Sequence, residues 1–187
     1  MPTAFTSLLA ILVVARTTAL ELGCSPSEQR VLNAFQRRLR LSDREVQRAL
    51  VAHPAILGYS FEANIEPKLQ ALKSRAALSD ADLKKVITRF PLVLGLNFAG
   101  NIDPTLRSLE SALDLDEVGL RKVLLATPQV LGLSFEGNIS PTLEAVALRL
   151  ELDQSELRRL VTRLPQLLTM SLESNVLPTL KDRKSVV

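Results

Sequence analysis

The chain has 187 residues, of which 47% are hydrophobic and 23% charged, which is enough apolar material for one domain with its own core. A single cysteine, Cys24, excludes an internal disulfide, and a single histidine, His53, excludes a zinc site of the Cys/His type. Any Ser-His-Asp or Cys-His unit would depend on His53, which argues against most enzymes. The net charge is only +3, and the excess lies in residues 1–40, which hold five arginines and two glutamates. This balance excludes a strongly cationic nucleic-acid binder and allows a neutral scaffold with one basic face.

Residues 1–23 form a separate segment in the sequence, and two interpretations of it are open. Their apolar run, residues 4–15, is too short to span a bilayer. One interpretation is a targeting segment, either a signal-peptide core or the start of a plastid-targeting sequence. The other is a degenerate first helix, because several apolar residues precede their counterparts in the next unit by 37 positions. Ile11 and Leu12 would be apolar on a face that later units keep polar, which favours targeting. The residues in register are Leu9, Val13 and Val14.

Residues 24–187 repeat with a period of 37 residues. Complete units are predicted near 41–77, 78–114, 115–151 and 152–187, and residues 24–40 fit the second helix of an earlier unit. The columns that define the repeat are Pro54, Pro91, Pro128 and Pro165, then Asn64, Asn101, Asn138 and Asn175, then Pro67, Pro104, Pro141 and Pro178.

Each unit is predicted to hold two helices. The first begins after a Ser or Asp that caps free backbone N–H groups, as at Ser42, where Glu45 has capping-box spacing. It ends at the first proline, and a 3₁₀ turn follows over five residues such as 54–58. The second helix is predicted to start with the asparagine as N-cap, which places Pro67 in its first turn. One such pair cannot bury its apolar face alone, so the prediction is an all-α fold, an α-solenoid of helix–3₁₀–helix repeats.

The unit resembles the repeat of the mitochondrial transcription termination factor (mTERF) family. The matching text is Pro128-Gln-Val-Leu-Gly-Leu-Ser-Phe-Glu-Gly-Asn-Ile-Ser-Pro-Thr-Leu143, with copies that start at each proline of the first column. The resemblance covers about residues 28–187, in four to five repeats. It implies a superhelical stack and a protein of mitochondria or plastids that acts on nucleic acid, in transcription termination, transcriptional regulation, RNA maturation or ribosome assembly. Family members commonly have more repeats than the four complete ones here.

Basic residues recur in the middle of each first helix and carry the site prediction. The columns that hold them face away from the predicted core, so stacked units would line them up as a stripe that suits a phosphate backbone. The competing interpretation is an ordinary solvated helix face, because acids lie three or four residues before several of these cations, as in Glu45–Arg48 and Glu117–Arg121. The predicted phosphate contacts are Arg48, Lys84, Lys85, Arg121, Lys122, Arg158 and Arg159, with Arg89 and Arg163 one turn later.

The other candidate residues favour structural roles. The column of Phe61, Phe98 and Phe135 reads as core, which leaves no aromatic platform for single-stranded bases. His53 reads as a half-buried spacer. We therefore expect a non-catalytic organelle protein, a monomer that binds double-stranded DNA or structured RNA, with no cofactor, metal, small-molecule substrate or transmembrane span. The alternative is a protein-interaction scaffold in organelle RNA processing or ribosome assembly.

Overall fold

The computed structural model describes residues 25–170. The predicted segment 1–23 and the second helix of the last predicted unit lie outside these residues. The described part has no strand and confirms the predicted all-α solenoid. Its eight α-helices are α1 (Pro26–Leu39), α2 (Asp43–Ala52), α3 (Glu66–Arg75), α4 (Asp80–Arg89), α5 (Asp103–Leu113), α6 (Glu117–Ala126), α7 (Ser140–Leu150) and α8 (Gln154–Arg163).

The first helices of the repeats are α2, α4, α6 and α8, and each begins at a Ser or Asp cap as predicted. The side chain of Ser42 accepts a hydrogen bond from the backbone N–H of Glu45, and the Glu45 carboxylate accepts one from the backbone N–H of Ser42. These two bonds form a capping box. A capping box is also present at the start of α8, between Asp153 and Glu156. Each first helix ends two residues before a proline, because proline lacks an N–H and restricts the residue before it.

The proline-to-glycine segments form the predicted 3₁₀ turns. Five residues such as Pro54–Gly58 take this geometry after each first helix. The corresponding turns of the later repeats are Pro91–Gly95, Pro128–Gly132 and Pro165–Thr169.

The start of the second helix differs from the prediction, and the assignment of Asn64, Asn101 and Asn138 as N-caps is wrong, while Asn175 lies outside the described residues. In the first complete unit the cap is Ser60, whose side chain accepts from the N–H of Ala63, and a π turn over Phe61–Ile65 leads into α3. The Ile65 N–H bonds to the carbonyl of Ser60, five residues back, at 3.2 Å. Asn64 lies inside this turn and accepts from the Ser60 N–H at 3.0 Å. Because Pro67 has no N–H and its ring crowds the preceding turn, a wider turn is favoured there.

The core is continuous along the stack. Each first helix packs on the next, and successive 3₁₀ turns pack on one another in the same order. The buried columns combine aliphatic residues from both helices and from the turns between them, so that no repeat closes its core alone. One such column consists of Leu32, Leu69, Leu106 and Leu143.

Candidate nucleic-acid interface

The predicted basic residues fall on three columns of the first helices, and the structure gives each column different surroundings. The ladder column holds Lys84, Arg121 and Arg158, with Gln47 at the same position of α2. The outer stripe is the next position along each helix and holds Arg48, Lys85, Lys122 and Arg159. The terminal arginines are Arg89 and Arg163, each the last residue of its helix.

The ladder column joins neighbouring repeats. Lys84 Nζ lies 2.9 Å from a carboxylate oxygen of Glu45 in the preceding first helix and also donates to the backbone carbonyl of Arg40 at 2.8 Å. Arg121 makes the equivalent contact one repeat later, at 2.5 Å from Asp82. We call these two pairs the first-helix ladder. The acids are also the capping-box residues, so each carboxylate serves its own helix and the next repeat together.

The pKa values of Glu45 and Asp82 are both lowered, because each carboxylate accepts bonds from its own helix cap and from the next repeat. The backbone N–H of Ser42, followed by the ammonium of Lys84, lowers the pKa of Glu45 to about 2. Asp82 is only 4% exposed. The hydroxyl of Ser79, and then the guanidinium of Arg121, lower the pKa of Asp82 below its ordinary value. Both groups are therefore carboxylates at neutral pH.

The cation of the fourth repeat departs from this pattern because the third repeat lacks the acid that it would contact. Gly119 occupies the position that corresponds to Glu45 and Asp82. Arg158 instead contacts Asp114, with 2.7 Å distances to its carboxylate and to its backbone carbonyl. The three cations of the ladder column are thus all bonded to other residues of the protein.

The outer stripe is exposed in every repeat. Within residues 25–170, the side chains of Arg48, Lys85 and Lys122 make no ion pair and no hydrogen bond. Arg159 bonds only within its own helix, to the carbonyl and the hydroxyl of Ser155 at 3.3 and 3.2 Å. Four cationic heads, one per repeat, therefore remain available to an anionic partner.

The terminal arginines are both exposed but differ in their contacts. Arg89 donates to the carbonyl of Leu125 in the next first helix at 2.6 Å, whereas the Arg163 side chain has no hydrogen bond to another described residue. They extend the outer stripe towards the 3₁₀ turns.

The pairs that would make the basic face an ordinary solvated helix surface do not form among the described residues. Glu45 pairs with Lys84 of the next repeat and not with Arg48, and Asp82 pairs with Arg121 and not with Lys85. In α2 and α4 the acid is therefore paired with a cation of the next repeat and not with the outer stripe.

A second set of ion pairs, which the sequence analysis missed, joins the second helices. Arg38 lies 2.9 Å from Glu66, and one repeat later Arg75 lies 2.8 Å from Asp103. We call these pairs the second-helix ladder. Arg75 also contacts Glu110 at 2.5 Å. The 37-residue spacing from Arg38 to Arg75, matched by that from Glu66 to Asp103, is the signal that could have revealed it.

The 3₁₀ turns carry an apolar groove beside the basic face. Its rings belong to His53, Tyr59 and Phe90, and Leu92 is 46% exposed there. His53 is half-buried, as predicted, and its Nε2 lies 3.1 Å from the hydroxyl of Tyr59. Burial, and then the nearby Lys68 ammonium, lower the pKa of His53. The predicted core roles of Phe61, Phe98 and Phe135 agree with their packing against the buried cluster.

A comparison of the chain with protein-family models identifies its family. The mTERF model matches the chain over residues 34–111 and again over 108–184. The chain belongs to the mTERF family. No curated protein matches it closely enough to count as a relative.

In residues 25–170 no group of three His, Cys, Asp or Glu side chains is arranged to hold a metal ion. No helix in that part of the chain is long and apolar enough to cross a membrane. Membership of the mTERF family points to nucleic-acid binding and transcription-related work in an organelle.

Proposed function

We propose that this mTERF protein is a non-catalytic monomer that binds the phosphate backbone of double-stranded DNA or structured RNA and regulates organelle transcription, at termination or a related step of gene expression. The observation that carries the proposal is the outer stripe, in which one exposed and unpaired cation recurs in each of the four first helices. Backbone contacts of this kind supply affinity and position without reading sequence.

The spacing of the stripe suits a repeating anion. Packed helices lie roughly 8–10 Å apart, so four stacked first helices spread their cations over roughly 25–30 Å. A duplex of that length presents several phosphates on each strand. Arg48, Lys85, Lys122 and Arg159 are the proposed contacts, flanked by Arg89 and Arg163.

The ladder column receives a different role in this proposal. Lys84, Arg121 and Arg158 hold one repeat against another through Glu45, Asp82 and Asp114. They are positioning residues, because their bonds fix the first helices that present the outer stripe. Their loss should lower stability before it lowers affinity.

The proposal predicts how binding depends on salt. Arg48→Gln, Lys85→Gln, Lys122→Gln and Arg159→Gln are combined in one variant, and anisotropy titrations with mixed-sequence duplex DNA and a structured RNA are run at several salt concentrations. Each phosphate contact contributes about 0.9 to the slope of log K against log salt on duplex DNA, so the variant should lose a slope of up to about 3.6. Affinity should fall most at low salt.

A matched control removes the same charge elsewhere. Arg30, Arg37, Arg40 and Arg107 are exposed and lie outside the outer stripe, so their replacement by Gln should leave the slope nearly unchanged. Equal losses in the two variants would contradict the proposed site. A parent chain that binds neither nucleic acid at low salt would contradict the proposed function.

The apolar groove favours a second candidate function, a protein-interaction scaffold in organelle RNA processing or ribosome assembly. Exposed Leu92 together with Tyr59 and Phe90 offers an apolar surface of the kind that protein partners cover. Leu92→Glu should abolish a protein partner's binding and leave nucleic-acid affinity unchanged. If Leu92→Glu lowered nucleic-acid affinity and left the protein partner bound, the result would contradict this second candidate function.

A further inference from the structure

The outer face of the first helices consists of three exposed columns, of which the outer stripe is the middle one. The column one turn before it begins with Arg44, and the column one turn after it contains the terminal arginines. Side chains four residues apart on a helix are neighbours, so the three columns form one surface. All twelve positions are exposed. They are Arg44, Arg48 and Ala52, then Ala81, Lys85 and Arg89, then Val118, Lys122 and Ala126, then Ser155, Arg159 and Arg163.

The charges on the outer face all have the same sign. Seven of its twelve positions hold Lys or Arg, and none of the twelve holds Asp or Glu. The other five hold Ala, Val or Ser, whose short side chains leave the cations uncovered. A surface with several cations and no acid attracts anions to itself.

The cations occur as pairs four residues apart in the same helix, except in α6. Like charges at this spacing repel each other and weaken a helix when no anion lies between them. Three of the four first helices nevertheless carry such a pair. In α6 the single cation Lys122 has Val118 four residues before it and Ala126 four residues after it. The pairs are Arg44 with Arg48, Lys85 with Arg89, and Arg159 with Arg163.

Arg44 is the member of these pairs that the sequence analysis missed. Asp43 and Glu45, the acids beside it in sequence, are bonded to other residues. Within residues 25–170 the Arg44 side chain makes no ion pair and no hydrogen bond. Arg44 and Arg48 border the same open cleft. Their two guanidinium groups are therefore available to bind one anion together.

We propose that the outer face binds one phosphate per first helix, four in all, and that in α2, α4 and α8 two cations hold that phosphate together. The inference rests on the proposed function, because it specifies how the same face contacts a nucleic-acid backbone, and it adds Arg44 to the contacts. A backbone that follows the outer stripe crosses the helices one after another. The two cations of a helix then lie across its path and reach the same phosphate, so that seven cations neutralise four phosphates.

The salt dependence of binding counts neutralised phosphates and so tests this number. Each phosphate contributes about 0.9 to the slope of log K against log salt on duplex DNA. In anisotropy titrations of the full chain, replacing all seven cations by Gln should lower the slope by about 3.6, whereas seven separate contacts would lower it by about 6.3. The outer-stripe variant, which keeps Arg44, Arg89 and Arg163, should lose less than the variant with seven substitutions. Circular dichroism checks that each variant stays folded.

The pair in α2 gives a sharper test, with Arg30 and Arg37 of α1 as the matched control. Arg44→Gln with Arg48→Gln should lower the slope by about 0.9 and weaken binding roughly eightfold at about 0.1 M salt. Arg44→Gln alone should weaken binding and leave the slope nearly unchanged, because Arg48 still holds the phosphate. Arg30→Gln with Arg37→Gln removes the same charge from exposed positions outside the outer face and should change neither quantity.

A variant that adds a cation completes the test. V118R places a second cation one turn before Lys122 and so supplies the pair that α6 lacks. Binding should become tighter with an unchanged slope, because the phosphate is the same.

Four outcomes would overturn the proposal: a slope that rises by about 0.9 in V118R, V118R that binds no tighter than the parent, Arg44→Gln that binds as tightly as the parent, and a slope that falls by about 1.8 when Arg44 and Arg48 are both replaced. Each of these leaves the proposed function standing. A parent chain that binds no nucleic acid would contradict the proposed function itself.

Discussion

Arg121 and Lys122 are neighbours in sequence with the same charge, yet their side chains meet opposite surroundings. Arg121 is bonded to the buried carboxylate of Asp82 in the preceding repeat, whereas Lys122 extends into solvent. A buried acid that loses its cation keeps its desolvation cost, so the two residues should differ sharply in their effect on stability.

This difference is testable with two variants that remove the charge and keep an unbranched side chain. Arg121→Met should lower the free energy of unfolding by about 1–2 kcal/mol, since Asp82 keeps only its bonds to Ser79. Lys122→Met should change it by less than about 0.5 kcal/mol. Urea unfolding followed by circular dichroism measures both. Similar losses in the two variants would mean that the ladder contact contributes nothing of its own.

At this scale the sequence predicts which residues are basic but not what they contact. The adjacent cations of each first helix were treated as one set of phosphate contacts. The structure divides them because the partner of Arg121 lies 39 residues earlier and comes close only when the repeats stack. A constant 39-residue offset, seen again from Glu45 to Lys84, is visible in the sequence once the stacking direction is known.

The 3₁₀ turns show how an element can be predicted while its role is missed. The five-residue segments that begin at the proline after each first helix are the predicted 3₁₀ turns, and three of the four end in glycine. The glycine, however, also makes room for a ring from the preceding repeat: a Cβ at position 132 would lie 2.8 Å from Phe90 Cζ, and one at position 95 would lie 3.0 Å from His53. The π turns were not predicted, because a polar asparagine just before Pro67 reads equally well as a cap.

The contact between glycine and ring predicts a position-specific effect. Gly132→Ala should destabilise the array by about 1–3 kcal/mol, because the added methyl group overlaps the Phe90 ring. Gly58→Ala is the matched control, since nothing lies within 4 Å of a Cβ there. Thermal unfolding compares the two. Adding Phe90→Leu to Gly132→Ala should restore part of the lost stability. If it does not, the overlap with the Phe90 ring is not the cause of the loss.

Over the whole molecule, the first-helix ladder predicts a response to acid. The folded-state pKa of Glu45 is about 2, against an ordinary value of 4.5, and the pKa of Asp82 is also lowered. A carboxylate of this kind stabilises the folded state fully above its unfolded pKa, and the contribution disappears as the pH falls through the folded value. The melting temperature should therefore fall between about pH 4.5 and pH 2.

The double variant Glu45→Gln, Asp82→Asn isolates this contribution. It should melt at a lower temperature than the parent at neutral pH and show a flatter profile in the acid range. Thermal scans from pH 2 to pH 7 give both profiles. Parallel profiles for parent and variant would show that other carboxylates govern the acid response.

The architecture as a whole was predictable from the sequence because two proline columns hold a constant period. What the period does not reveal is how one unit contacts the next, since the acids and cations of the two ladders pair across units. The missing acid at Gly119 illustrates this limit: the sequence alone gives no reason for Arg158 to contact Asp114.

The two ladders run in opposite directions. In the first helices the acid comes from the earlier repeat and the cation from the later one, as in Glu45 and Lys84. In the second helices the earlier repeat supplies the cation and the later one the acid, as in Arg75 and Asp103. If a unit docked with its two helices exchanged, Glu45 would oppose Asp103 and Arg75 would oppose Lys84. Units this similar can dock wrongly while the chain folds. The opposite directions of the two ladders disfavour the exchanged docking, because like charges would then meet in the first helices and in the second helices.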